Sequence, residues 1–500
     1  MTLRKILRDH TPQVQHTASG NDVSIRSPLH KQQGETVRHD FADLQSDGAG
    51  QARTRCMTQA INWTNLSVLR FAGNEDPVAK VEQTARTCVL KALDAGWSGP
   101  PFNPLFLADQ LRIPVEANAQ VRDARAVPDN GGVRIQFNPT QPRERVRFSI
   151  AHEVAHALFP DVTEAVRNRG GDRGPDDWQL EMLCNIAAAE FIMPVGSLAL
   201  REQAPPIETL MAERRKFDVS AEAFLIRVAK VVSEPLLVVF ASPRDGGGRR
   251  YRVDYAIPSR GWELASGGLV PPAETLMADC TAIGHTAHGS EVWEPLGDVV
   301  LQCVGIPGYP GSSLPRVACI VRPRHSTPHD ARPLLQHVHG DVLQPKGGGR
   351  RIVCMMVNDA ARRWGGGIAR IAATRFPGAE AAFAEWLSSS PRDQRLGLVH
   401  FCPASGGVTL ASLVAQHGYG SSDKPRIRYA ALGRCLDAVG DEALATEASV
   451  HMPRLGTGGA GGDWQVVEQM VNDAFVARGV RTIVYDPPPR RAGAEADLFA

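Results

Sequence analysis

The sequence lacks several things, and each absence narrows the reading. No two of its nine cysteines form a CxxC pair, so a structural cysteine–zinc site is not expected. Their odd number and irregular spacing fit reduced cytosolic thiols better than a disulfide framework. No run of 18 or more apolar residues occurs, which argues against a membrane span. The start, MTLRKILRDHTPQVQH, has basic residues but no apolar core, so no signal peptide is expected and a cytoplasmic location is. Charge of one sign is missing too. Lys plus Arg is 55 and Asp plus Glu is 54, so no global pull toward nucleic acid or anionic lipid exists. No tyrosine occurs before Tyr251, which removes tyrosine as an oxyanion stabiliser from the first half of the chain.

What is present is a soluble globular composition of 500 residues, enough for several domains. Residues 1–55 are polar and aperiodic and read as a mobile arm. Helical periodicity begins near Asp76 and stops at Gly96. PFNPLFLADQLRIPVE reads as a short helix and then a strand, and GGVRIQFNP as a strand. ERVRFSIAHEVAHALFP reads as an amphipathic helix ending near Pro160. After a Gly/Asp/Arg-rich loop, Asn168–Pro175, DWQLEMLCNIAAAEFIMP forms a second helix stopped by Pro194. A further helix follows Ser220 as N-cap. PLLVVFAS, RRYRVDYAI, DVVLQCVGI and RVACIVRP then predict a β-rich middle region. Beyond a Pro-rich linker, strands and helices alternate as in a layered α/β domain.

The chemistry is concentrated in His152-Glu153-Val154-Ala155-His156. On a helix, positions i and i+4 share a face, so two imidazoles can grip one ion. Glu153 lies on the neighbouring edge, where it can accept a proton from a metal-activated water of pKa ~7. A catalytic zinc needs a third protein ligand and an open position. The next helix offers Glu181, with Asn185 one turn later as a supporting hydrogen-bond partner. Glu190 is the rival ligand, more than two turns further along. His285 and His288 fall outside any metal context and read as surface residues, and His337 and His339 as linker-to-strand residues.

RVRFSIAHEVAHALFP followed by LEMLCNIAAAEFIMP resembles the ImmA/IrrE metallopeptidases over roughly Asp76 to Val232. The resemblance implies a Zn2+ held by His152, His156 and Glu181, Glu153 as general base and Asn185 behind the ligands. It also implies a protein substrate of the repressor or antitoxin type, cut in stress or phage control. No recognition helix is legible, so direct DNA binding is not expected.

Two glycine-rich loops each follow a strand and enter a helix, at Gly365-Gly366-Gly367 and at Gly456-Thr457-Gly458-Gly459-Ala460-Gly461. Glycines admit close backbone approach, and amides at a helix start favour an anion, so a diphosphate between the loops is one reading. Tight turns needing positive φ are the other. GDVLQ, VNDAARRWGGGIA and MPRLGTGGAGGDW resemble, in that order, a macro domain over about His337 to Asp486. The likeness implies ADP-ribose binding. Asp341, with Val342 beside it, would accept from the adenine amino group. Asn358 and Gly365–Gly367 would face the distal ribose, and the second loop would wrap the diphosphate. Deacylating relatives use a lysine plus an acid in the second loop. LGLVHFCP has no lysine, Ala460 stands where the acid is sought and Asp463 is displaced, so a reader is favoured over a hydrolase.

The expected architecture is multidomain α+β and α/β. A helical zincin-like peptidase domain spans 56–235 and a β-rich middle domain 236–321. A linker over 322–335 leads to a three-layer α/β/α macro domain over 336–490, with a tail over 491–500.

Overall fold

The structure, a computed structural model, describes residues 61–164, 176–198, 200, 203–244, 250–259, 262, 268–309, 315–324, 334–420, 422 and 424–486. The expected arm, the loop ending at Pro175, most of the linker and the tail lie outside the described residues.

The first region is mostly helical. Helices α1 (Leu66–Ala72), α2 (Pro77–Asp94) and α3 (Pro104–Gln110) each begin at an Asn or Asp whose side chain accepts from a first-turn amide. In α2, Val81, Ala85, Val89 and Ala92 form the buried stripe that the sequence predicts. A small sheet follows: β1 (Val115–Ala117), β2 (Ala124–Asp129) and β3 (Gly132–Phe137), in the order β1-β3-β2. Helix α4 (Arg143–His156) ends earlier than its apolar pattern predicts, because Leu158 and Phe159 amides turn back to carbonyls three residues earlier. Helix α5 (Asp177–Ile192) packs along α4, and α6 (Ile207–Phe217) and α7 (Ala221–Val231, capped by Ser220) complete the region.

The middle region is an antiparallel sheet of β4 (Leu237–Pro243), β5 (Tyr251–Pro258), β6 (Thr286–Trp293), β7 (Gly297–Ile306) and β8 (Arg316–Pro323), in the order β5-β4-β8-β7-β6. Its two faces bury different cores. Leu237, Val239 and Ala241 pack with Trp293 and Cys303, whereas Val238 and Phe240 face the helices. Strand β8 continues through Arg322 and Pro323, residues expected in the linker.

The last region holds β9 (Leu335–His339), β10 (Arg351–Asn358), α8 (Gly367–Arg375), α9 (Pro377–Ser388), β11 (Val399–Pro403), β12 (Val408–Gln416), α10 (Tyr429–Thr446), β13 (Ser449–Pro453), α11 (Trp464–Ala474) and β14 (Thr482–Asp486). The sheet order is β11-β12-β10-β13-β14-β9, parallel except for the edge strand β11. Val353 and Met355 pack with α8 and α9, while Ile352 and Cys354 face α10 and α11. The chain leaves β10 toward β12 on one side and returns through α10 to β13 on the other. The carboxyl end of β10 is therefore a topological switch point, where a crevice opens in sheets of this kind. No described helix is long and apolar enough to cross a membrane.

Candidate metal centre and glycine-loop pocket

Helices α4 and α5 bring His152, His156 and Glu181 together, with one ligand atom from each lying within 4.8 Å of the others. The Nδ1 of His152 is 2.8 Å from Asn185 Oδ1, which can only accept, so Nδ1 carries the proton. Its Nε2 then faces Glu181 Oε2 at 2.9 Å and His156 Nε2 at 3.2 Å. Behind His156, Nδ1 meets Cys184 Sγ at 3.3 Å. Electron-rich atoms thus converge on one point from three side chains, an arrangement that a divalent cation satisfies. The electrostatics agree. Burial opposes a charged His152, yet the hydrogen bond and charge of Glu181, with Glu153 behind them, hold its pKa above the usual histidine value.

Glu153 is buried on the same helix, and its Oε2 accepts from Ala126 N on β2 at 2.7 Å. Strand β2 lies at the edge of the small sheet. Both β2 and this amide are absent from the sequence reading, since ARAVPD has neither alternation nor a β-branched run.

Glu190 does not join the cluster. Nine residues at about 100° each place it on the opposite face of α5 from Glu181. There it accepts from Arg86 Nε at 2.7 Å and from Val195 N at 3.1 Å, and it pairs with Arg227. His285 bonds the Asp279 carbonyl, and exposed His288 pairs with Glu208. His337 sits in strand β9 and reaches Glu468 at 2.9 Å, with His339 at the strand's end.

In the last region Asn358 ends β10 with its Oδ1 buried and without a hydrogen-bond partner. Val342 is buried. Asp341 is engaged already, accepting from Leu343 N at 2.9 Å and pairing with Arg375 at 2.7 Å. The glycines divide into two kinds. Gly367, Gly456 and Gly461 have positive φ and are required by the turn. Gly366, Gly458 and Gly459 have no positive φ, and a Cβ there would meet nothing within 4 Å; at Gly365 it would meet only a carbonyl at 4.0 Å. Neither conformation nor packing demands glycine at these four positions. The second loop is pinned by the buried Ala460, whose carbonyl accepts from Arg426 N and Ile427 N, and by Thr457 Oγ1 donating to Arg454 O. Asp463, expected to be displaced from the acid's place, is the N-cap of α11 and accepts from Gln465 N at 2.8 Å.

A cavity of about 390 Å³ opens elsewhere, beside β5, and its lining of Arg244, Arg250, Arg252 and neighbours shares no residue with either site.

Residues 111–229 match the family described as the IrrE N-terminal-like domain, Peptidase_M78. The chain is 30% identical over 150 residues to the radiation response metalloprotease IrrE of Deinococcus deserti, covering 27% of this chain and 53% of that protein. It is 31% identical over 166 residues to mouse chromodomain-helicase-DNA-binding protein 1-like, covering 32% of this chain and 18% of that protein. The chain thus spans about half or less of these curated relatives. Among solved structures, the macrodomain protein from Streptomyces coelicolor is 34% identical with a TM-score of 0.27, covering 30% of this chain and 98% of that one. The chain therefore carries an IrrE N-terminal-like region, and a macrodomain-like region matched by the solved structures.

Proposed function

We propose that the chain is a zinc-dependent endopeptidase that cleaves a regulatory protein of the repressor or antitoxin type, in a cytoplasmic stress or phage-defence response. The observation that carries this reading is the convergence of His152, His156 and Glu181 with Glu153 one residue along the same helix. His152, His156 and Glu181 would hold the ion, with Asn185 fixing the His152 ring. Zinc held there supplies Lewis acidity toward water and the scissile carbonyl. Glu153 takes the proton from the attacking water and passes it to the leaving amine. The Ala126 amide keeps that carboxylate turned toward β2, the edge strand of the small sheet, along which an extended peptide would add.

The macrodomain-like region, read as a three-layer α/β/α domain over 336–490, would sense or dock ADP-ribose or an ADP-ribosylated protein. Glycines that neither turn nor packing requires, beside the orphaned Asn358 Oδ1, support a ligand in that crevice. The Asp341–Arg375 pair would have to open, or remain beside the adenine, for Asp341 to accept from its amino group. A second reading, an ADP-ribose reader or ADP-ribosyl hydrolase with the peptidase part as scaffold, draws on the same crevice.

New protein N-termini in cells expressing wild type or Glu153→Gln, with and without DNA damage or phage challenge, test the first reading. A cut present only with wild type supports it and identifies the substrate. No difference under any condition transfers the function to the crevice.

A further inference from the structure

We propose that the crevice and the candidate metal centre are coupled sites: a diphosphate ligand held by the second glycine loop tightens metal binding by His152, His156 and Glu181, through Tyr429 and helix α2. The proposal rests on the ADP-ribose reading of the crevice and on the zinc reading of the centre.

Tyr429 is the joint. It is the first residue of α10 and is 8% exposed. Its hydroxyl accepts from Asp463 N at 2.8 Å, where the second loop becomes α11. Its own amide donates to Asp94 Oδ1 at 2.6 Å, and the Ala430 amide to Asp94 Oδ2 at 3.2 Å. Asp94 is the last residue of α2, so a helix of the first region caps a helix of the last. The segment before Tyr429 holds the loop as well, because Arg426 N and Ile427 N both donate to the Ala460 carbonyl.

Arg86 lies a little over two turns back along α2. It pairs with Asp473 on α11 and with Glu190 on α5. Helix α2 thus grips α10 at its end, and α11 and α5 near its middle. Apolar packing fills the space between these ties. Leu90 of α2 lies over Gly433 of α10, its Cδ1 3.4 Å from where a Cβ would stand. Val89, Leu183, Leu436 and Val471, one from each of the four helices, belong to a single core. Nine positions of continuous helix, about 13 Å, then join Glu190 to Glu181.

The element with two arrangements is the loop itself. Here it is bonded to itself: Gly461 N donates to Gly458 O at 2.9 Å, and Gly462 N to Gly456 O at 2.8 Å. A diphosphate is held by amides turned outward, so it competes with these internal bonds. The exchange falls directly before Asp463, whose amide rests on Tyr429. An anion there also favours the start of α11. A fixed α11 holds Asp473 on Arg86, and so Glu190 and α5 in place. Metal binding needs that same placement, since Glu181 must stay against the two histidines of α4. Each ligand therefore meets a site that the other has already ordered, which is positive coupling.

The test uses the full chain, ADP-ribose and zinc. Calorimetry gives the ADP-ribose affinity of zinc-loaded and metal-stripped protein. Competition with a chelating dye gives the zinc affinity with and without saturating ADP-ribose. Zinc binding by ADP-ribose alone is measured and subtracted, because a free diphosphate also holds the ion. Zinc should raise ADP-ribose affinity by at least about 5-fold, and ADP-ribose should raise zinc affinity by the same factor, since linkage is reciprocal. Tyr429→Phe keeps the ring and loses the acceptor for Asp463 N. It should bind each ligand alone as wild type does and reduce the factor toward one. Asp473→Asn loosens the second tie, at Arg86, and should lower the factor by itself, so the path stays testable where Tyr429→Phe does not fold. A wild-type factor of one, a coupling of opposite sign, or a factor unchanged in both variants would each overturn the proposal and leave the two site readings standing. Wild type that binds zinc but not ADP-ribose would remove the crevice reading and the proposal with it. Wild type that binds ADP-ribose but not zinc would remove the metal reading instead, and the proposal with that.

Discussion

Glu190→Gln separates two roles that the motif alone leaves entangled. Burial by itself would push the Glu190 carboxyl up, but Arg227 and Arg86 outweigh it and hold it below the usual carboxylate range. Its side chain is 6% exposed, and those of Arg86 and Arg227 are 22% and 11%. Removing the charge leaves two largely buried guanidiniums short of a partner, which costs about 3–5 kcal/mol. For a folding unit of 150–250 residues each kcal/mol lowers Tm by about 2–4 °C, so the melt should fall by about 6–20 °C. Stabilisation from this group is fully present above the ordinary glutamate pKa and is lost as the pH falls through the depressed folded value. Glu181→Gln behaves in the opposite way. Its side chain is 24% exposed and gives up hydrogen bonds in the metal-free protein worth about 1 kcal/mol, but it loses a charged ligand. Thermal melts of metal-stripped protein, paired with zinc stoichiometry at low temperature, read both effects. A folded Glu190→Gln variant that cannot hold zinc, beside a Glu181→Gln variant that can, would refute the assignment of the two carboxylates.

Three further outcomes follow from the same geometry. Glu153→Gln should keep its zinc and lose at least about 100-fold in cleavage rate, measured on whichever partner proteomics identifies. Gly458→Ala should leave stability within about 0.5 kcal/mol and weaken ADP-ribose binding, whereas Gly456→Ala, with φ +74° and Ile427 Cδ1 2.5 Å from the new Cβ, should cost about 1–3 kcal/mol; urea melts and calorimetry distinguish them. His451 is buried, its ring nitrogens facing Ser449 Oγ and the Tyr485 hydroxyl. Desolvation, then Arg351 and Arg481, lowers its pKa to about 4. Below the unfolded value of about 6.5 the unfolded chain binds the extra proton, so stability is full above that pH and falls by up to ~3 kcal/mol toward pH 4. His451→Gln should flatten that part of the pH–stability curve.

How much of this was legible depends on whether the contact is local. His152 and His156 sit one helical turn apart, so their convergence is written in the spacing. Asn185 follows Glu181 by the same rule, and the structure adds only the packing of α5 on α4 that joins the pairs. The Ala126 amide was not legible, because an edge strand reading ARAVPD carries no strand signal. Strand β12, VTLASLVAQ, went unread between two better patterns, and with it the register that sets His417 beside Asp359 across 58 positions. The alanine-rich α9 was missed because it anchors its core face with little more than Phe383 and Leu387.

The second motif proves to be two devices on one helix. One face of α5 presents Glu181 and Asn185 to His152. The opposite face ends in Glu190, and through Arg86 that carboxylate is tied to Asp473 on α11. The turn after the helix adds to the same contact. Gly196 N donates to Gln469, and a Cβ at Gly196 would fall 2.3 Å from the Val466 Cα, so only glycine admits this approach. On α2, Asp94 accepts from the Tyr429 and Ala430 amides and so caps α10, a helix of the macrodomain-like region, with a side chain from the first helical region. The Tyr429 hydroxyl in turn accepts from Asp463 N, where the second glycine loop becomes α11. The AAE and MP portion of the motif therefore needs no catalytic explanation: its residues hold the macrodomain-like region against the helix that carries Glu181.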